Sequence, residues 1–381
     1  MTRLTYKNLI ISDRAESYPQ GPITDTESGI ILAGRLYGRY GRGMYHRMAE
    51  EALERIEKNL RVPNSAMYRD RLAGANLPYT TLWPLSMLHS ALISAAEREP
   101  ERYLPRVRQL QQTLLAYWDE RHDPPGFDAY PKGNDKYYDD NAWMVLNYLR
   151  LYRLTREKEW LRWAQRVHRF VWSGWDEQLG GGIYWHQSRK SKNTCSNAPA
   201  LVSALELYAL TRDARYLSQA EQIHAWVCQH LRDPEDGLFW DNIQMDGKVD
   251  RTKFAYNTAL MIDASLWWHR LTRKEEYLHE ATRLARSSQR CWLSWRSRAI
   301  EGYAPFVVKL CSAYRHLAEV VGDSRWTVLV SRTAQWVKSL RSPEGDYPED
   351  WYAERKHQPV SSLMALASAA CLFWLIPPDD R

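Results

Sequence analysis

The sequence predicts an all-α protein whose six helical hairpins close into an (α/α)6 barrel, and three observations carry that prediction. A motif recurs as LYRLTREKEWLRWA at Leu151–Ala164, LYALTRDARYLSQA at Leu207–Ala220 and WHRLTRKEEYLHEA at Trp268–Ala281. In each copy a Thr (Thr155, Thr211, Thr272) precedes Trp or Tyr, then Leu, then Ala, at the same offsets. Self-similarity of this kind marks stacked supersecondary units. The second observation is apolar spacing at helical period, which outlines twelve stretches: 28–60, 81–97, 101–120, 141–155, 157–173, 197–211, 213–232, 256–272, 274–290, 303–321, 323–340 and 359–375. Third, short and long links alternate between them. No strand-rich segment and no second-domain linker stands out, so residues 1–381 are read as one domain.

Each unit reads as helix, tight turn, helix. The Thr is placed to cap the second helix, and acidic residues follow in its first turn, where the helix dipole favours them. Fainter copies end at Tyr103 (AAEREPERYL) and Trp326 (LAEVVGDSRW). Within 141–155, Ala142, Val145, Leu146, Leu149 and Tyr152 form one stripe, with Arg150 and Arg153 off it. Six pairs without a polar end repeat favour a closed ring over an open solenoid.

Composition bounds the function classes. No apolar run approaches the roughly 18 residues of a membrane span, and Met1–Ser12 does not read as a secretion signal, so a cytoplasmic location is expected. The five cysteines (Cys195, Cys228, Cys291, Cys311, Cys371) are scattered and odd in number, which suits reduced thiols rather than a disulfide framework. A net charge of +6 is small for 381 residues, so neither nucleic acid nor membrane is an expected partner. There are 18 Trp and 23 Tyr against 6 Phe. Rings with a polar edge suit sugars, whose faces are apolar and whose rims are hydroxyls, although they also fill gaps between helices.

If the helices after the long links form the inner layer, their first turns meet at one end of the barrel. Those starts read TTLWP (80–84), YYDDNAW (137–143), CSNAPA (195–200), AYNTAL (255–260), EGYAPF (301–306) and HQPVSS (357–362). Long loops add GGGIYW (180–185), GLFWDN (237–242) and YPEDWY (347–352). The Gly180–Gly182 turn is expected to let Tyr184 and Trp185 reach over the funnel. Trp83, Tyr138, Asn141, Trp185, Asn197, Tyr256, Asn257, Tyr303 and Trp351 are the candidate sugar-binding residues. Helix capping alone also accounts for Asn197 or Asn257.

Asp139 and Asp140 are the sharpest feature. One residue suffices as an N-cap, and Asn141 is placed for that role. Adjacent carboxylates repel, which pushes one proton affinity up. A protonated acid beside an ionised partner is what glycoside hydrolysis needs. The alternative is a chemically inert helix start. The acidic group Asp346, Glu349 and Asp350 beside Trp351 is either a sugar-binding rim or solvated charge. His224, Cys228 and His230 do not share one helix face, so no metal site or cofactor is expected.

The run YYDDNAWMVLNYLRLYRLT, together with GGGIYW, SNAPALVSALELYALT (196–211) and YNTALMIDASLWWHRLT (256–272), resembles glycoside hydrolase family 76, the α-1,6-mannanases. The resemblance covers roughly residues 80–320. It implies an (α/α)6 barrel and a retaining glycosidase acting on oligosaccharide or mannan. Asp139 would be the nucleophile and Asp140 the general acid/base. The basic start of the chain (Arg35, Arg39, Arg42, Arg47) lies outside the resemblance. Alternatives on the same barrel are a sugar 2-epimerase, which works through histidines (His89, His269 and His357 are the candidates), and an unsaturated glucuronyl hydrolase. A carbohydrate-binding protein without activity and a helical scaffold for protein partners complete the set.

Overall fold

A computed structural model describes residues 43–72, 77–355 and 358–377. Residues 28–42 of the first expected helix, with Arg35, Arg39 and Arg42, and also His357, lie outside the described residues. The described helices are α1 (Met44–Arg55), α2 (Leu82–Ala96), α3 (Pro100–Leu115), α4 (Tyr138–Thr155), α5 (Lys158–Trp172), α6 (Thr194–Thr211), α7 (Ala214–His230), α8 (Ala255–Thr272), α9 (Glu275–Trp292), α10 (Ala304–Val321), α11 (Ser324–Ser339) and α12 (Leu363–Trp374). No described helix is long and apolar enough to cross a membrane.

Six helices form an inner ring. Helix α2 packs on α4, α4 on α6, α6 on α8, α8 on α10, α10 on α12, and α12 back on α2. Five outer helices follow their inner partners across tight turns. The sixth pair joins the two ends of the chain, α1 against α12. Burial follows the layers. Every residue of α12 is buried, whereas α5 buries one stripe that includes Trp160, Ala164, Val167 and Val171.

The recurring Thr acts differently from its expected role. Thr155, Thr211 and Thr272 end the inner helices rather than cap the outer ones. Each hydroxyl donates to the carbonyl four residues back (2.9, 2.7 and 2.7 Å) and accepts the N–H two residues on. The next residues, Arg156, Arg212 and Arg273, take the left-handed conformation that closes a helix. Gly322 does so in the fainter copy, and Asp213 and Asp323 cap the helices that follow.

The long loops carry short strands that the sequence pattern did not suggest: β1 (Trp118–Asp119) with β2 (Gly126–Phe127), and β3 (Ser191–Asn193), β4 (Trp240–Gln244) and β5 (Val249–Lys253) in one antiparallel sheet. Strands of two to five residues are too short to show alternation. A lysine pins each of three loops two residues before an inner helix, Lys136 and Lys192 buried and Lys253 half-buried. Lys136 meets Asp119 and Asp128 at 2.5 and 2.7 Å, and Lys253 meets Asp233 and Asp236 at 2.6 and 2.8 Å. Lys192 donates to Asp176 at 2.6 Å and to the carbonyls of Asp176, Gln178 and Gly181. Such ions are tolerable inside only because carboxylates and carbonyls surround each ammonium. Lys192→Ala strands four acceptors and should cost about 3–5 kcal/mol, read as a lower urea midpoint. An unchanged midpoint would show that the lysine does not anchor the loop.

Candidate active site

All six inner helices begin at the same end, and a cleft of ≈ 670 Å³ opens there. Five helix starts supply its walls: Trp83 from α2, Asp139, Asp140 and Trp143 from α4, Cys195 from α6, Tyr256 from α8 and Phe306 from α10. The loop before β3 adds Trp185, and β4 adds Asp241, Asn242 and Gln244. The rings are packed against one another. Tyr256 stacks on Phe306 at 4.0 Å, and Trp83 meets Trp143 at 5.9 Å. The Lys309 ammonium, one turn deeper on α10 than Phe306, sits 4.1 Å from the centre of the Trp143 ring. Burial pushes Lys309 down to about 8.

Helix α4 begins earlier than expected, at Tyr138, so both aspartates stand in its first turn. Asn141 is not its cap. The amide accepts the Phe127 N–H at 2.8 Å and donates to the carbonyls of Phe127 (3.0 Å) and Tyr137 (2.8 Å). Asn197 does the same for the next loop, with Ile183 and Asn193 all at 2.8 Å. The two amides clamp their loops to the helix starts and do not face the cleft.

Asp139 and Asp140 look alike in sequence but have different surroundings. Asp139 accepts the Asp140 N–H through Oδ1 and the Trp185 indole N–H through Oδ2, both at 2.9 Å. Trp185 is itself held by its backbone, its N–H on Ser191 and its carbonyl on Tyr138. Burial pushes Asp139 up to about 6, and hydrogen bonds from Trp185, Asp140 and Cys195 oppose the rise. Among the described residues no group donates to the Asp140 side chain. Burial first, then the charges of Asp139 and Asp135, push it well above the usual carboxylate range. Two buried carboxyls this close resist being ionised together, and the hydrogen bonds to Asp139 favour its charge over that of Asp140. Asp241, a third carboxyl raised by burial, faces the same space.

The remaining candidates divide. Trp83, Trp185 and Tyr256 line the cleft. Tyr303 stands one layer behind, edge-on to Phe306 at 5.0 Å. Tyr138 turns outward and stacks on Phe170 at 5.0 Å, since successive first-turn residues of a helix face different directions. Asn257 is buried, off the cleft wall, and its amide has no hydrogen-bond partner among the described residues. Trp351 is wholly buried under its loop. Tyr184 does not reach over the funnel. It is buried on Asp176 at 2.8 Å, because Gly181 and Gly182 press against Trp175 and Trp226 where no Cβ would fit. The loop acids are ion-paired, Asp346 to Arg55 (2.7 Å), Glu349 to Arg71 (2.7 Å) and Asp350 to Arg355 (3.4 Å). Sequence reasoning missed Cys195, Asp241, Asn242, Gln244 and Phe306 as cleft residues. Among the described residues no histidine lines the cleft, and no group of three His, Cys, Asp or Glu could hold a metal.

A ring of paired helices whose open end carries packed aromatic rings around two unequal carboxyls defines a carbohydrate-active barrel. Comparison with known proteins narrows the class. A sequence model of glycosyl hydrolase family 76 matches residues 44–303. An α-mannanase from Bacteroides thetaiotaomicron superposes with a TM-score of 0.82 and 24% identity, covering 90% of this chain and 97% of that one. An inactive variant of an α-1,6-mannanase from Salegentibacter sp., with two adjacent aspartates changed to asparagine and α-1,6-mannotriose bound, superposes with a TM-score of 0.74. It is 25% identical over 87% of this chain and 98% of that one. The mannan endo-1,6-α-mannosidase DFG5 of Saccharomyces cerevisiae is 26% identical over 124 residues, 30% of this chain and 27% of that protein. The chain belongs to glycosyl hydrolase family 76 and is a glycoside hydrolase.

The raised carboxyl has a consequence for stability. Asp139 titrates higher in the fold than its ordinary 3.8. The fold is therefore favoured below that value and loses the advantage as pH rises through about 6. Between pH 4.5 and 7.5 the melting temperature of the parent should fall by about 2–5 °C more than that of Asp139→Asn. Parallel curves would contradict a raised Asp139.

Proposed function

We propose that the protein is a retaining α-mannosidase acting on α-1,6 linkages of mannan or manno-oligosaccharides through Asp139 and Asp140. The observation that carries this reading is the inequality of the two neighbours. Asp139 receives hydrogen bonds from Asp140 N–H and Trp185 and is the carboxyl that ionises. Asp140 receives none and keeps its proton. In the first step an Asp139 oxygen attacks the anomeric carbon while Asp140 passes its proton to the departing glycosidic oxygen. The glycosyl ester is then opened by water, whose proton returns to Asp140 as Asp139 leaves. Trp83, Trp143, Trp185 and Tyr256 offer faces for the sugar rings, and Asp241, Asn242 and Gln244 offer polar edges for hydroxyls.

Family membership supports the reaction class. The Salegentibacter α-1,6-mannanase, inactive with two neighbouring aspartates changed, supports both the pair and the linkage. The epimerase reading has no cleft histidine to work with among the described residues.

The purified protein should cleave α-1,6-linked manno-oligosaccharides and leave α-1,2, α-1,3 and α-glucosyl controls largely intact, as read by mass spectrometry of the products. Asp139→Asn and Asp140→Asn should each lose roughly 10³-fold or more in kcat. Turnover of another series alone would move the linkage, and activity surviving in both variants would remove the pair. For the parent, kcat/KM should rise with pH through about 6 as Asp139 ionises and fall at higher pH as Asp140 loses its proton. A profile flat from pH 4 to 8 would contradict the assignment.

A further inference from the structure

In the inner ring, α10 and α4 stand opposite each other, with α6 and α8 between them on one side and α12 and α2 on the other. Lys309 reaches across from α10 and sets its ammonium 4.1 Å from the centre of the Trp143 ring on α4. Trp143 lines the cleft and also meets the Trp83 ring, tilted at 42°. Lys309 itself does not line the cleft. The acids of the inner helices near it are already engaged. Arg150 holds Glu97 at 2.8 Å, His316 holds Asp263 at 2.9 Å, and Arg153 holds Glu206. Among the described residues no carboxylate or carbonyl bonds the Lys309 ammonium, and its close partner is the Trp143 ring. An ammonium taken from water without a counterion weakens a fold. Methionine would fill the same space without that penalty, so packing does not account for a lysine. What lysine adds is attraction to the face of an indole, which is strongest where water is excluded.

We propose that Lys309 is a positioning residue: its ammonium, reaching across the ring from α10, holds the Trp143 indole in the orientation in which that ring serves as a platform for a sugar unit in the cleft. The contact is electrostatic, so it lasts only while the amine keeps its proton. The titratable groups that face Lys309 are Cys371 from α12, Arg150 from α4 and Asp263 from α8, and among the described residues none comes from α9 or α11. His316, deeper on α10, is spent on Asp263. Burial outweighs the two acidic neighbours and brings Lys309 down to about 8. Above that pH the amine is neutral and its hold on the ring lapses. An arginine at the same place would keep its charge throughout.

The platform's use for mannose rests on the function proposed above, whereas the contact is tested on the resting protein. The full chain is labelled with fluorotryptophan and followed by ¹⁹F NMR from about pH 6 to about pH 10. Loss of a signal in Trp143→Phe identifies the Trp143 resonance. In the parent that resonance should shift with a midpoint of about 8. Lys309→Met should abolish the shift, and Lys309→Arg should hold the resonance near its low-pH position throughout. Lys309→Met should also melt no lower than the parent, because it removes an unpaired ammonium. A Trp143 resonance that does not titrate, or one that still does in Lys309→Met, overturns the proposal. With α-1,6-mannotriose, Lys309→Met should raise KM by about 5-fold and leave kcat within about 2-fold, and Lys309→Arg should restore KM. In the parent, KM should rise as pH passes about 8, and in Lys309→Arg it should not. An unchanged KM in Lys309→Met overturns the platform role. If the parent turns over no mannoside, the proposed function falls, while the Trp143 titration still decides whether Lys309 holds the ring.

Discussion

The structure depends on closing the ring. Helix α12 is apolar on every side, and it finds enough cover only by lying between α2 and α10 with α1 across its back. That placement ties the end of the described chain to its beginning. With closure, all inner helices run in one direction and their first turns converge on one mouth. Buried N–H groups and positive helix ends then face a shared space. A carboxylate there is supported more than it would be elsewhere in the interior.

Against that background, the aspartate pair shows how position separates two identical side chains. Both lie in the first turn of α4, within a cleft walled by aromatic rings. Desolvation acts on each and favours the neutral acid. The difference is made by donors: Trp185 and the Asp140 N–H on one carboxyl, none on the other. Trp185 has this role because Asn197, Lys192 and the Gly181–Gly182 turn fix its loop. Residues well away from the two carboxyls thus hold the donor that tells them apart.

Much of the fold was legible because it repeats. The LT motif marked the hairpin turns, and helical periodicity located nearly all the helices. The role of the Thr was misread, since a hydroxyl at a tight turn can serve either helix. The starts of α4 and α6 were placed three residues late. Asn141 and Asn197 look like caps, but their amides reach a loop strand instead, and only the folded loop reveals that. The sheet beside the cleft escaped notice, although Asp246-Gly247 is a hairpin signal. The Trp-Asp-Glu runs at 118–120 and 175–177 are a further repeat, and each supplies an acid for a buried lysine. The place of the aspartate pair on the cleft wall was legible from its position at an inner-helix start. The cleft-facing place of Cys195 was not, because it depends on α6 beginning at Thr194.

The central claim is that two adjacent carboxyls, one ionised and one protonated, carry out a double displacement. The most direct test is the anomeric configuration of the first product, followed by proton NMR before mutarotation. The account predicts that α-mannose appears first and that its β-anomer grows in later. If the β-anomer appeared first, water would be the direct attacking group, and Asp139 could not be the nucleophile.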